Sequence, residues 1–430
     1  MSRSLRVVVA SLFFALAACS GSGGGTDSIT VQISGSPDEA NSYRVLADAF
    51  EKASPGAKVN LVVVPNAGDH VAKLVTSFSG GKPPDLFLLN YRRFGQFADR
   101  KVIEPIGPLL TQSERMRQED FYPEALDSFR RNGVLQCMPT NISTQVVYYN
   151  KTLFARAGLA APQSGWSWAD LLVSAKRLTA DTNGDGKSDV YGLGVEPQLV
   201  RVAPFVWQAG GEVTDDVANP TKTTMLGPKE LRALKFFIEL RRVHRVVPGH
   251  AEFASEDLEA RFAAGRLGML IDSRRATTTL RGVPDLEWDV APLPMDAEPA
   301  TILHSDALCM AQSSTKKDLA FRFIEFATGP EGAAILARTG RTVPSHMAVS
   351  RSSDFLAPGQ QPAHGQVFLD QIPHIRRFPN IGTWNEIETR ADPIVEEWFF
   401  GNERIEALGI EIDIATRELF TEARPSPSPS

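Results

Sequence analysis

The feature that most constrains this chain is the alternation of short apolar strands with amphipathic helices from its start. The pattern predicts strands over 29–33, 59–64 and 86–89. Between them, Tyr43, Leu46, Ala47 and Phe50 fall at helical spacing within 40–52, and a second helix is expected over 71–78. Strand–helix alternation at this spacing implies a mostly parallel sheet covered by helices, an α/β fold. In such sheets ligands sit where strands open into helices. The third strand does this in an unusual way: Leu86 to Leu89 runs into Asn90-Tyr91-Arg92-Arg93, with a helix expected from Phe94.

The pattern continues downstream. Strands are expected over 134–138 and 144–150, around Pro139, and a helix over 168–179 with Ser167 as N-cap and Asp170 three positions on. Helices follow over 228–244 and 255–264, a strand over 267–271, and helices over 316–328, 330–338, 391–400 and 404–419. A chain of 430 residues exceeds one ordinary core, so two α/β lobes are the natural parse. A net charge of −6 argues against a nucleic-acid partner.

The first residues read as a targeting segment. Arg3 and Arg6 precede an apolar run ending in Leu16-Ala17-Ala18-Cys19, and SGSGGGTDS follows. The cysteine after small residues resembles a bacterial lipobox. Residues 1–18 are expected to be a lipoprotein signal peptide, Cys19 the lipidated N-terminus and 19–27 a flexible tether. The protein is then exported and membrane-anchored, facing the periplasm or cell exterior. The tail 425–430, rich in Ser and Pro, is expected to be disordered. The other cysteines, Cys137 and Cys309, could pair in an oxidising compartment, but each sits in an apolar strand and reads as a separate buried thiol.

The chain has no G-x-S-x-G, H-E-x-x-H, paired C-x-x-C or P-loop, so no enzyme and no cofactor is expected. His304 and His346 read as surface or hinge residues. Asp181, Asn183, Asp185 and Asp189 alternate as calcium ligands do, with a glycine at the sixth position. Gly192 occupies the twelfth position, where a bidentate glutamate is needed, so the stretch reads as an Asx-rich turn and at most a weak calcium site. Three double arginines stand out: Arg92-Arg93, Arg274-Arg275 and Arg376-Arg377. The first two follow strands, where guanidinium forks suit vicinal hydroxyls, carboxylates or phosphates. Among loop aromatics, Tyr91, Trp207 and Trp384 are candidates to stack on a sugar face, whereas Trp166 reads as core.

The ordered set GGKPPDLFLLNYRRFGQFADRKVIEPI, MPTNISTQVVYYNKTLFARAGL, DTNGDGKSDVYG, PFVWQAGGEV, FAAGRLGMLIDS and ARTGRTVPS resembles the family 1 extracellular solute-binding proteins of ABC importers, the group containing the maltose-binding protein. The resemblance implies a two-lobe periplasmic-binding-protein fold, type II-like, with discontinuous lobes joined by hinge strands and a ligand cleft between them. Crossings fall near Gln145, Ser305 and Ser345. The N-terminal lobe would then comprise 28–144 plus 306–345 and the C-terminal lobe 145–305 plus 346–424. Carried over by position, the sugar-bonding aspartate–arginine pair falls on Arg92-Arg93, an acidic contact on Asp38 and a tryptophan on Arg275. The stacking aromatic falls on Leu89, so maltose itself does not transfer. Asp272 and Arg341 complete the expected ligand set, with Tyr91, Trp207, Arg274 and Trp384.

The expected partners are a small solute, above all a disaccharide or oligosaccharide, and the permease subunits of an importer. The membrane is met only through the N-terminal lipid, and the protein is expected to be a monomer. An anionic solute, such as a glycerophosphodiester or sugar acid, is the alternative. An exported hydrolase finds no nucleophile with a His–acid partner, and a role in handing ligand to a sensory receptor leaves no mark in the sequence.

Overall fold

A computed structural model describes residues 27–422. The expected signal peptide, Cys19 and most of the tether lie outside the described residues, as does the terminal tail. No described helix is long and apolar enough to cross a membrane.

The first lobe is built on β1 (Asp27–Ser34), α1 (Pro37–Ala53), β2 (Ala57–Val64), α2 (Ala67–Ser79), β3 (Leu86–Asn90), α3 (Tyr91–Asp99), β4 (Ile103–Glu104) and β5 (Cys137–Pro139). The second holds β6 (Val146–Asn150), α4 (Trp168–Leu178), β7 (Tyr191–Gly194), α5 (Leu199–Gln208), α6 (Pro228–Arg242), β8 (Leu267–Asp272), α7 (Ala276–Arg281) and β9 (Trp288–Ala291). The chain then returns through β10 (Asp306–Ala311), α8 (Lys317–Thr328) and α9 (Pro330–Arg338), and ends on α10 (Trp384–Phe400) and α11 (Leu408–Glu422).

The first sheet runs β2-β1-β3-β10-β4, with β5 also paired to β10; the second runs β9-β6-β8-β7. β1 lies parallel to β2 and β3, whereas the returning β10 is antiparallel to β3, β4 and β5. β3 is almost wholly apolar because helices cover both faces of the sheet, whereas β1 alternates, with Ile29, Val31 and Ile33 buried. The chain leaves the first sheet at Pro139 and enters the second at Val146; it leaves the second at Ala291 and returns at Asp306. The crossing segments are bonded to one another: Ser143 N donates to His304 O (2.7 Å) and Ile142 N to Val343 O (2.8 Å). After the third crossing, the short helices Met347–Ser350 and Ser353–Leu356 pack on α9 of the first lobe, which the expected division had assigned to the second.

The capping box of Ser167 and Asp170 forms as expected. Other boundaries differ for local reasons. Asp257 caps a new helix, its Oδ1 accepting from Glu259 N at 2.8 Å, and so splits the helix expected over 255–264. Asn90 caps α3 three residues before the expected start, its Oδ1 accepting from Arg92 N at 3.2 Å, and so draws Tyr91, Arg92 and Arg93 into the first helical turn. Gly95 on α3 lets Ile381 approach; an added Cβ would lie 2.6 Å from the Ile381 carbonyl.

Two separate thiols do not survive. Antiparallel β5 and β10 put Cys137 directly opposite Cys309, and the pair forms a disulfide with both residues fully buried. Two lone apolar strands give no hint of that register.

Candidate functional site

Where the sheets meet the crossings, a cavity of about 280 Å³ opens. The end of β3 and the first turn of α3 contribute Asn90, Arg92 and Arg93; the turn after β8 contributes Ser273 and Arg275. The crossings supply Asn141, Ser143, His304 and Arg341, α1 supplies Glu39 and β10 supplies Asp306. No Phe, Tyr or Trp ring lines it.

The four guanidiniums differ in their partners. Arg92 Nη1 donates to Glu388 Oε1 at 2.7 Å, reaching from the first lobe to α10. Arg341 pairs with Glu39 at 2.8 Å. Arg275 pairs with Glu259 at 2.9 Å and with Asp272 at 3.2 Å. Arg93 donates to the amide oxygen of Asn385 and forms no ion pair among the described residues. Burial, and then the neighbouring Arg92, push the Arg93 guanidinium below its ordinary value.

The carboxylates are tuned in opposite directions. Burial pushes Glu39 up to about 6, Asp306 adding to the rise and Arg341 opposing it. Burial would raise Asp272 too, but Arg201 at 3.1 Å and Arg275 hold it well below the usual carboxylate range. Burial, with Arg92 and Arg201 nearby, keeps His304 neutral at physiological pH. Fixed donors and acceptors with mixed charge suit a small polar solute.

The expected site residues therefore separate. Arg92, Arg93, Arg275 and Arg341 line one cavity, and Asp272 backs it through Arg275. Asp38 is exposed in the first turn of α1, and its neighbour Glu39 lines the cavity instead, because Ser36 caps the helix and turns position 39 inward. Tyr91 is fully buried and its hydroxyl accepts from Phe378 N at 3.4 Å. Trp207 packs on Phe378, with the Arg376 guanidinium 5.3 Å from its ring centroid. Trp384 is not in a loop: it opens α10, fully buried against Phe378. Arg274 is buried between Phe355 and Phe368, off the cavity. These four were expected in the cleft, and apolar packing absorbs them.

Asn90, Asn141 and Asp306 were not proposed as ligands from the sequence; they are small polar residues at or beside strand ends, brought together by sheet register, and His304, read as a surface or hinge residue, lines the cavity from a crossing. In the turn at 181–189, Asp189 accepts from Thr182 N and Oγ1, both at 2.7 Å, and Asp181 from Gly184 N (2.7 Å) and Gly186 N (2.8 Å). Asp185 Oδ1 accepts from Lys187 N and Asn183 Oδ1 from Asp185 N. The side chains close the turn on itself, and no metal-holding cluster is found among the described residues.

Two lobes, three crossings and a polar cavity between the sheets define a solute-binding protein. The family of bacterial extracellular solute-binding proteins matches residues 35–334, and the chain belongs to it. It is 24% identical over 365 residues to a protein of Brucella abortus (strain 2308) described as a binding protein, covering 84% of this chain and 85% of that one. It is 22% identical over 309 residues to the sn-glycerol-3-phosphate-binding periplasmic protein of Shigella dysenteriae serotype 1, covering 67% of each. The ABC substrate-binding protein of Listeria monocytogenes in complex with cycloalternan superposes with a TM-score of 0.83 at 24% identity, over 92% of this chain and 99% of that one.

Proposed function

We propose that this protein is the solute-capturing subunit of an ABC importer and that it takes a small hydroxylated solute carrying a carboxylate or a phosphate. The observation that carries this reading is the cavity wall: four arginines, one without a carboxylate partner, and no Phe, Tyr or Trp ring. A neutral oligosaccharide usually needs apolar faces to stack on, and Tyr91, Trp207 and Trp384 are buried elsewhere. At about 280 Å³ the space is at the lower edge of the range for ligand pockets, which suits a small solute better than a long saccharide. The neutral-sugar reading is favoured by the Listeria structure, whose bound molecule is cycloalternan. The Shigella relative, which binds sn-glycerol 3-phosphate, favours the anion.

Capture proceeds by hinge closure about the crossings, and the N-terminal lipid on Cys19 holds the protein at the membrane while it meets the permease. The deciding measurement is calorimetry with D-glucuronate, glycerol 3-phosphate and maltose at low and high salt. The anions are expected to bind, more weakly at high salt, and to bind Arg93→Ala roughly tenfold to a hundredfold more weakly. Salt-independent binding of maltose alone, unchanged in Arg93→Ala, would overturn the anion reading.

A further inference from the structure

Asp306 differs from the other charged groups on the cavity. Sheet register places it opposite Asn90 on β3. One carboxylate oxygen accepts from Asn90 Nδ2 at 3.0 Å and the other from Asn141 Nδ2 at 3.0 Å. Both amides are themselves held. Asn90 Oδ1 caps α3, and Asn141 Oδ1 accepts from Asp306 N at 3.1 Å. The Asp306 main-chain oxygen accepts from Thr140 N (2.8 Å) and Thr140 Oγ1 (3.0 Å). The carboxylate is thus fixed in orientation from three sides, at the point where β3, the first crossing and β10 converge.

Despite four arginines on the same cavity, Asp306 forms no ion pair among the described residues. An ionised carboxylate offers about four acceptor positions. The two asparagine amides use one on each oxygen, leaving one on each for the cavity. Glu39 shares the cavity, and the Asp306 charge disfavours its ionisation. A second carboxylate here, with Arg93 near enough to feel its charge but no guanidinium in ion-pair contact among the described residues, keeps acceptor positions that a solute can fill.

We propose that Asp306 is the specificity-determining residue of this cavity and that its two free acceptor positions take a pair of adjacent hydroxyls on the solute. Two carboxylate oxygens match two vicinal O–H donors in one plane, as they match the two N–H donors of a guanidinium. Arg93 then takes the anionic end. A hydroxyl pair lost from the solute leaves two Asp306 acceptor positions desolvated and unfilled, so the site rejects deoxy analogues strongly. This inference rests on the proposed anion reading only for the second half of the solute.

The test compares glycerol 3-phosphate, n-propyl phosphate and 2-aminoethyl phosphate by calorimetry on the full chain. Wild-type protein is expected to bind the diol about tenfold or more tighter than propyl phosphate. Asp306→Asn, and Asp306→Ser as a second variant, are expected to bring that ratio to within about twofold, with thermal unfolding reporting whether each folds. Arg93→Ala is expected to weaken both phosphates while keeping the ratio. A ratio near one in wild type, a ratio unchanged in a folded Asp306 variant, tighter binding of the amine than of the diol, or no binding of any diol at millimolar concentration overturns the proposal. If glycerol and neutral sugars bind better than phosphates, and that binding still collapses in Asp306→Asn, the anion reading falls and the role of Asp306 stands.

Discussion

Two turns in this molecule look alike in sequence and end differently. Asn90-Tyr91-Arg92-Arg93 leaves β3, and Asp272-Ser273-Arg274-Arg275 leaves β8; each brings two arginines to a strand mouth. In the first, the Asn90 cap starts the helix at once, and both arginines line the cavity while Tyr91 turns into the core. In the second, α7 starts only at Ala276, and the arginines part. Arg275 faces the cavity. Arg274 turns inward, its Nε donating to Gly340 O at 2.9 Å, with its guanidinium carbon 4.5 Å from the Phe355 ring centroid and 4.8 Å from that of Phe368. Burial pushes Arg274 down to about 9. The difference teaches that where a helix starts relative to a strand end, not the residue type, decides which cation meets solvent.

The largest effect expected from this comparison is on stability. Arg274→Ala empties the space between two rings and strands two carbonyls, and should destabilise the protein by about 3–5 kcal/mol. Arg274→Met fills the space without a buried charge and should recover the packing part of the loss, leaving the carbonyls of Gly340 and Phe355 without their donor. Arg93→Ala should change stability by less than about 1 kcal/mol, its effect being on affinity. Denaturant unfolding of the three variants measures this. A stability loss for Arg93→Ala as large as that for Arg274→Ala would break the comparison.

The first turn is also braced covalently. β3 pairs with β10, and β10 carries Cys309, joined to Cys137 across 172 positions of sequence. The second turn has no such brace among the described residues. Replacing both cysteines with alanine should cost about 2–5 kcal/mol, since the bridge restricts a long loop of the unfolded chain. Hydrogen exchange at β3 and α3 should rise more than at β8 and α7. Equal increases in both lobes would mean that the brace acts on the whole molecule rather than on the first lobe.

The sequence made the sheets legible because apolar strands and amphipathic helices alternate with little ambiguity. Arg92, Arg93 and Arg275 were legible because strand mouths are where open α/β sheets bind ligands. Arg274 and Trp207 were misplaced for one physical reason. Periodicity reports that a side chain is in a turn, but not which long-range neighbours close over it. Phe355 and Phe368 cover Arg274 from some eighty residues or more away, and Phe378 covers Trp207 from farther still; Trp384 was misplaced because α10 starts there rather than at 391. Asp306 and Asn141 were missed for the converse reason: their polar side chains meet only because β5 pairs with β10 just before the first crossing. The Cys137–Cys309 bridge depends on register in the same way.

The smallest effect concerns the pair that links the two turns. Arg274 holds the carbonyl of Gly340, and the next residue, Arg341, pairs with Glu39 on the first lobe. Glu39 is raised to about 6 by burial. Its folded value lies above the ordinary carboxylate value, so its contribution to stability is fully present below the ordinary value of 4.5 and is lost as pH rises through about 6. Binding follows from the same proton. Between pH 7.5 and 5, protonation removes a negative charge from the cavity and frees Arg341 for a solute anion. D-glucuronate, which stays ionised over this window, should therefore bind about threefold to tenfold tighter at pH 5 than at pH 7.5. Burial lowers His70 and His304 below the ordinary imidazole value, and it pushes Asp392 up to about 6 and Glu259 up to about 7, near Arg92 and Arg275 respectively. Glu39→Gln separates these sources, because it should flatten the pH profile and raise affinity at pH 7.5 towards the wild-type value at pH 5. A profile that keeps its slope in Glu39→Gln would assign the proton to Asp392 or Glu259. The coupling between the two turns would then run through Arg92 or Arg275 rather than through Arg341.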